Sequence, residues 1–428
     1  MKWQFRYMVI LISSLLLVAL GFVLWTSTQK KILRIGVYAG SSWDVPNSRE
    51  NRILDNIIRQ FEKSHPQVRV VYESGIPKKD YDGWLAEKIL KGEQPDVFMV
   101  PENDFSMLAA SGAFKSLDSL LSKDEVAAYY PVAYQAGQYQ GHSYALPIES
   151  NPVMMCVNKD LLEKEGVSIP DSNWTLEDLY AICQKVTKDT NGDGLIDQYG
   201  ITDYTWKQAL VAYNGHLRNK SGMNVDSAEM HQALSFISKL TSLNQRYKVT
   251  SNDFDEGKVA FYPMSLAQYR TYKPYPYHVA KYSRFSWTCI PMPAAKAGIP
   301  ATQVKTSLFA MSSKTKQDKL AWEFMKLLCQ NQKTQQNLFE KSQGTSVLLS
   351  VVKSSQTKKI LQADDFGLNS LTSQRLDHMM KHSVLDISRD VDYHSLERID
   401  HLLENALKNN EIDSRLPSIQ REMEETGK

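Results

Sequence analysis

A chain of 428 residues with 42% apolar content is too long for one ordinary core, and with 50 basic against 48 acidic side chains it reads as globular, in two lobes. The net charge of +2, with Lys and Arg scattered, excludes a nucleic-acid binder working through a concentrated basic face. Four cysteines, Cys156, Cys183, Cys289 and Cys329, show no close pair along the chain and no metal-ligand spacing. Cys183 and Cys329 sit in amphipathic helical patterns, so buried thiols are the expectation rather than disulfides.

The chain opens with Lys2 and Arg6 and then an uncharged apolar run from Tyr7 to Trp25. As a helix that run is about 28 Å long, close to the thickness of a hydrocarbon core. No A-x-A cleavage site follows it, and no cysteine precedes Cys156 to take a lipid. The pattern predicts an uncleaved signal anchor over 1–30, with Trp3, Tyr7 and Trp25 near the interfaces and the rest of the chain outside the cell.

"ILRIGVY" (32–38) reads as a strand, and "NRILDNIIRQFEKS" (51–64) sets Ile53, Leu54, Ile57, Ile58 and Phe61 on one helical face that His65-Pro66 ends. "VRVVYES", "YDGWLAEKILKG" and "PDVFMV" continue a β-α-β-α-β order, which implies a mostly parallel sheet covered by helices. Ligands of such sheets sit beyond the carboxyl ends of the strands, here "AGSSWD", "ESG" and "PENDF". "GHSYALPIES" reads as a crossing strand, after which the α/β pattern starts again.

In that second half "DTNGDGLIDQYG" (189–200) spaces Asp189, Asn191, Asp193 and Asp197 like the first half of a helix-loop-helix calcium site, with Gly194 as the turning glycine. Gly200 stands where a bidentate glutamate is required, so a complete regulatory site of that kind is excluded. An Asx-rich turn and a structural calcium loop both remain open. Further on, "GKVAFYPMSLAQY" and "FSWTCIPMP" look like strands. "QDKLAWEFMKLLCQN" looks like a helix with Leu320, Phe324, Leu327 and Leu328 inward, and the chain beyond 353 reads as helical.

"FEKSHPQVRV", "PDVFMV", "LAASGAFKSLDSLL", "LPIESNPVMMCVNKDLLEKEGV", "WTLEDL", "DTNGDGLIDQYG", "GKVAFY", "CIPMP" and "QGTSVLLSVV" stand in this order along nearly the whole exported chain. Together they resemble the extracellular solute-binding proteins of family 1, the carbohydrate-binding subunits of ATP-driven importers. The resemblance implies a two-lobed α/β fold of the periplasmic-binding-protein type II, its lobes joined by crossing strands and closing over a sugar. It divides the chain into lobe 1 (31–147), lobe 2 (148–283), a return to lobe 1 (284–352) and a carboxyl-terminal helical part (353–428) packing mainly on lobe 2. It implies importer permease subunits as partners, a monomer, no cofactor beyond a structural calcium at Asp189, Asn191, Asp193 and Asp197, and no enzymatic activity. A membrane-tethered sensor with a signalling partner is the alternative.

A sugar offers hydroxyls at its rim and C–H groups on its faces, so its site needs flat aromatic rings among carboxylates and amides. The expected ligand contacts are Trp43, Asp44, Asn103, Asp104, Glu149, Asn151, Asp203, Tyr204, Trp206, Tyr269 and Tyr393. Asn103, Asn151 and Tyr204 match the family's contacts best. The family's frequent tryptophan after the "GKVAF" strand is replaced by Met264 and Tyr269. "YRTYKPYPYHVAKYSRFSW" (269–287) interleaves aromatic rings with Arg270, Lys273, Lys281 and Arg284, either as a Pro-braced surface connection or as a rim for an acidic glycan. No G-x-S-x-G, H-E-x-x-H, P-loop or C-x-x-C motif is present.

Overall fold

The computed structural model describes residues 30–43, 50–101, 103–219, 222–245, 247–271, 285–363 and 371–426. The apolar run at 7–25, Asp44 and most of the aromatic stretch from 272 to 284 lie outside these residues. Among the described residues no helix is long and apolar enough to cross a membrane.

The expected β-α-β-α-β order is present as β1 (Lys31–Gly36), α1 (Glu50–Ser64), β2 (Val68–Tyr72), α2 (Lys78–Leu90) and β3 (Val97–Met99). β1 pairs in parallel with both β2 and β3, and Ile53, Ile57, Ile58 and Phe61 of α1 are buried. After α3 (Phe105–Ala110) the chain enters β4 (Ala145–Asn158), a strand of 14 residues. Lobe 2 follows with α4 (Leu176–Val186), β5 (Tyr199–Ile201), α5 (Trp206–Ala212), α6 (Ala228–Ser242), β6 (Val259–Ser265), α7 (Leu266–Thr271) and β7 (Trp287–Ile290). The return is made by β8 (Thr302–Met311) and α8 (Asp318–Cys329), and the chain closes with α9 (Ser373–Lys381), β9 (Ser383–Leu385), α10 (Tyr393–Asn409) and α11 (Ile412–Thr426).

β4 ties the lobes together. Its first part pairs antiparallel with β8 from Ala145 to Pro152, and its second part pairs with β6 and β7 from Val153 to Asn158, giving the order β2-β1-β3-β8-β4-β6-β5. Both faces of the second part are covered. Met154 and Cys156 join one apolar cluster while Met155 and Val157 join the other, the two-residue alternation that a strand imposes. Such a strand reads as an unbroken apolar run, as "VMMCV" does.

Three expectations change in detail. "GKVAFYPMSLAQY" divides at Ser265 into β6 and α7, because Ser265 and Gln268 exchange capping bonds, Gln268 N to Ser265 Oγ at 3.2 Å and Ser265 N to Gln268 Oε1 at 2.8 Å. In α8 the buried face is Ala321, Trp322, Phe324, Met325, Leu328 and Cys329, with Leu320 and Leu327 only half-buried. β7 still belongs with the lobe 2 strands, and β9 pairs in parallel with β8 to make a further crossing. Consequently the helical remainder is shared. Leu361, Leu376 and Met380 pack in the first cluster, whereas Val391, Ile399, Leu403, Leu416 and Ile419 pack in the second.

Candidate functional site

The lobes meet along β4, β8 and the segment from β9 to α10, and the expected site residues separate into three groups around that seam. The first group lies on β4. Glu149 and Asn151 are two residues apart, so they share a face, and both are buried at 6% and 5% exposure. Asn151 Oδ1 accepts the Ala267 N–H at 3.0 Å and thereby caps α7 from another strand. Glu149 Oε1 accepts from Gly344 N at 2.8 Å and from the Ser342 hydroxyl. Burial pushes the Glu149 carboxyl above the usual range, against the pull of Ser342, Gly344, Trp43 and Arg270. The Trp43 ring, 8% exposed, stands within electrostatic reach of that carboxylate, although its Nε1–H makes no well-aligned hydrogen bond among the described residues.

The second group faces across the lobes. Asn103 and Asp104 are half-buried between β3 and α3, and Asp104 lies opposite Asp392 at the start of α10. Burial, and the charge of Asp392 across the gap, raise the Asp104 carboxyl. Asp392 is also pushed up by burial, but the Ser395 hydroxyl and N–H hold it below the ordinary carboxylate range, as befits the N-cap of α10. The Ser106 hydroxyl donates to Asp390, and the Arg389 guanidinium sits 4.8 Å above the Phe105 ring. Tyr393, the first residue of α10, is 65% exposed. Asp104 thus faces Asp392, the residue that precedes the exposed Tyr393 at the start of α10.

The third group is in lobe 2, and most of it is core. Tyr204 packs edge-on to Phe236 at 6.2 Å with its hydroxyl buried and no partner for it among the described residues. Trp206 is 3% exposed, and its Nε1–H donates to Asp400 at 2.7 Å, where Lys207 Nζ also binds at 2.6 Å. Tyr269 is fully buried, 5.2 Å from the Trp287 ring. All three rings are buried, so where a sugar platform was expected the apolar cores of the lobes cover their surfaces. Asp203 adopts a φ of +52°, and the water its carboxyl has lost to neighbouring groups pushes it up against the pull of Lys248 and Tyr262.

The acidic loop is braced by its own amides. Asp189 accepts the N–H groups of Asn191, Gly192 and Gly194 at 3.1, 2.6 and 2.7 Å. Asn191 accepts from Asp193 N and Asp193 from Leu195 N, while Asp197 accepts from Thr190 N and its hydroxyl. Most of these oxygens accept the loop's own amides, and among the described residues no three His, Cys, Asp or Glu side chains converge as metal ligands. Gly200, at the place of the absent glutamate, is set by packing, since a Cβ there would lie 2.6 Å from Cys183 Cα.

Sequence reasoning missed one interlobe feature. A cavity of about 290 Å³ is lined by Gln135 of lobe 1, Asn214, His216 and Arg218 of lobe 2, and Asp386 and Asp390 beyond β9. Its residues come from three distant segments and share no motif. The only local hint is Asn214, held at a φ of +59°.

The arrangement matches known proteins in architecture. A maltotriose-binding protein of Pyrococcus abyssi is 25% identical over 138 residues, 32% of this chain and 30% of that relative, so the chain spans under a third of its length in alignment. The sugar-binding protein MalE from Xanthomonas citri superposes with a TM-score of 0.74 at 15% identity, over 92% of this chain and 97% of that one. The cyclic alpha-maltosyl-1,6-maltose binding protein from Arthrobacter globiformis gives 0.69 at 15% identity, over 92% and 99%. At such identities the likeness speaks for the fold. The profile of the bacterial extracellular solute-binding proteins matches residues 56–364, and with the strand order and crossings described above it places the chain in that family.

Proposed function

We propose that the chain binds a gluco-oligosaccharide between its lobes and hands it to the permease of an ABC importer, acting by capture and not by catalysis. The observation that carries this reading is the approach of Asp104 to Asp392 across the lobes, next to the exposed Tyr393, and on this reading Asn103, Asp104 and Tyr393 make the rim of the cleft. Trp43, Glu149 and Asn151 form the braced floor at β4, and Asp203 adds a carboxyl from lobe 2. The names of the relatives supply the ligand class, since those proteins bind maltotriose and a cyclic maltosyl-maltose. The apolar run from Tyr7 to Trp25 supports tethering on the outer face of the cell membrane.

The test is a titration of the full chain with maltotriose, maltotetraose and cyclic maltosyl-maltose, followed by thermal shift and calorimetry. One of the three should raise the melting temperature saturably. Asp104→Asn and Tyr393→Ala should each weaken that ligand at least about tenfold, as loss of about 1.4 kcal/mol requires. A folded chain that none of the saccharides stabilises would remove the proposal.

A further inference from the structure

β7 runs antiparallel to β4 with Cys289 directly opposite Cys156, flanked by the pairs Thr288 with Val157 and Ile290 with Met155. The two sulfurs are 3.4 Å apart although the residues are separated by 133 positions in the chain. Both side chains are fully buried. The remaining cysteines have no such counterpart: Cys183 sits on α4 under Gly200, and Cys329 on α8 has its sulfur 4.0 Å from the Leu146 carbonyl. Directly opposed residues of antiparallel neighbours have Cα atoms about 4.5–5.5 Å apart, inside the span of about 4.4–6.8 Å that a disulfide bridges. Closing the sulfurs to about 2.05 Å therefore needs side-chain rotation and no change of register.

We propose that Cys156 and Cys289 are a disulfide site, oxidised by exchange with an external disulfide while the two strands come together. One cysteine, as thiolate, attacks the oxidant RS–SR, forming a mixed disulfide and releasing RS⁻. The second thiolate then attacks the protein sulfur of that mixed disulfide and releases the other RS⁻. The protein gives up two electrons, the oxidant becomes two thiols, and the two cysteine protons end on them. An extracellular family meets such oxidants after export. Burial makes the timing part of the inference. It pushes the Cys156 thiol up, and it blocks access, so exchange belongs to folding and is closed off once the sheet has packed.

The experiment uses the full chain, unfolded and reduced in guanidinium, then refolded in a mixture of glutathione and its disulfide. Circular dichroism verifies folding, and acid quenching, denaturation and alkylation with iodoacetamide follow. Two alkylated cysteines, Cys183 and Cys329, are expected, together with a linked peptide pair carrying Cys156 and Cys289. The oxidised form should melt about 2–8 °C above the same chain refolded with reductant, and it should resist dithiothreitol until denaturant is added. A double variant, Cys156→Ala with Cys289→Ala, should show two alkylations, no linked pair and no response of its melting temperature to the oxidant. Acid trapping of the chain directly from exporting cells gives the same count without refolding. Four alkylated cysteines in both arms, or a link through Cys183 or Cys329, would overturn the assignment.

Discussion

Glu149 and Asp189 are both carboxylates that accept backbone N–H groups beside glycines, yet their surroundings drive them in opposite directions. Asp189 finds its partners within five residues, in an exposed loop, and the N–H groups of Gly194 and Gly192 hold its carboxyl below the usual range. Glu149 finds its partners 193 and 195 positions away, in the buried seam between β4 and the segment before β9, and burial outweighs their pull. A hydrogen bond favours the charged form in both places, so the difference lies in how much water each carboxylate has lost. The seam accordingly holds polar groups that depend on one another, and the loop holds groups that water can replace.

The largest effect should come from breaking the buried member. Glu149→Ala leaves the Ser342 hydroxyl and Gly344 N–H buried without their acceptor, so about 2–5 kcal/mol of stability should be lost in urea unfolding. Gly344→Ala should reproduce much of that loss from the other side. A Cβ at 344 would lie 2.6 Å from Glu149 Cγ and Oε1, so the carboxylate or the chain has to move. Unchanged urea midpoints for both variants would show that the Glu149 contacts are dispensable.

A pH series sharpens the comparison. The folded pKa of Glu149 lies above its ordinary 4.5, so its contribution is complete below that value and is lost as pH rises through the folded pKa. The folded pKa of Asp189 lies below its ordinary 3.8, so its contribution is present above that value and is lost as pH falls through the folded pKa. Wild type should therefore lose stability relative to Glu149→Gln as pH rises from 4.5, and should lose stability relative to Asp189→Asn as pH falls below 3.8. Parallel profiles for the two variants would show that burial does not separate the carboxylates.

The same contrast marks what was legible in the sequence. Local periodicity yields α1 and the parallel strands around it, because Ile53, Ile57, Ile58 and Phe61 state one helical face within nine residues. The Asx-rich reading of 189–200, left open beside the calcium one, is local too. β9 was missed, since "SVL" becomes a strand only through its pairing with Thr302–Val304. Among the site residues, Trp206 and Tyr269 look like sugar platforms in sequence, and only the positions of Asp400 and Trp287 reveal that their surfaces are already taken. Aromatic residues serve a core and a cleft equally well, so the choice between them is made by contacts from elsewhere in the chain.

The smallest effect should follow from the loop. Asp189→Ala removes the acceptor of three N–H groups, but Asn191, Gly192 and Gly194 are all exposed, and water takes the vacated places. The separate bonds from Thr190 to Asp197 and from Leu195 to Asp193 remain to hold the turn. The melting temperature should fall by less than in Glu149→Ala, and saccharide affinity should stay at the wild-type value. Chelation should leave both quantities unchanged in the wild type, because Gly200 stands where a calcium ion needs a bidentate glutamate besides the loop's carboxylate oxygens. A fall of several degrees on adding chelator, reversed by calcium and absent in Asp189→Ala, would mean that the loop can turn those oxygens toward a cation, and the contrast with Glu149 would then be one of metal binding rather than of burial.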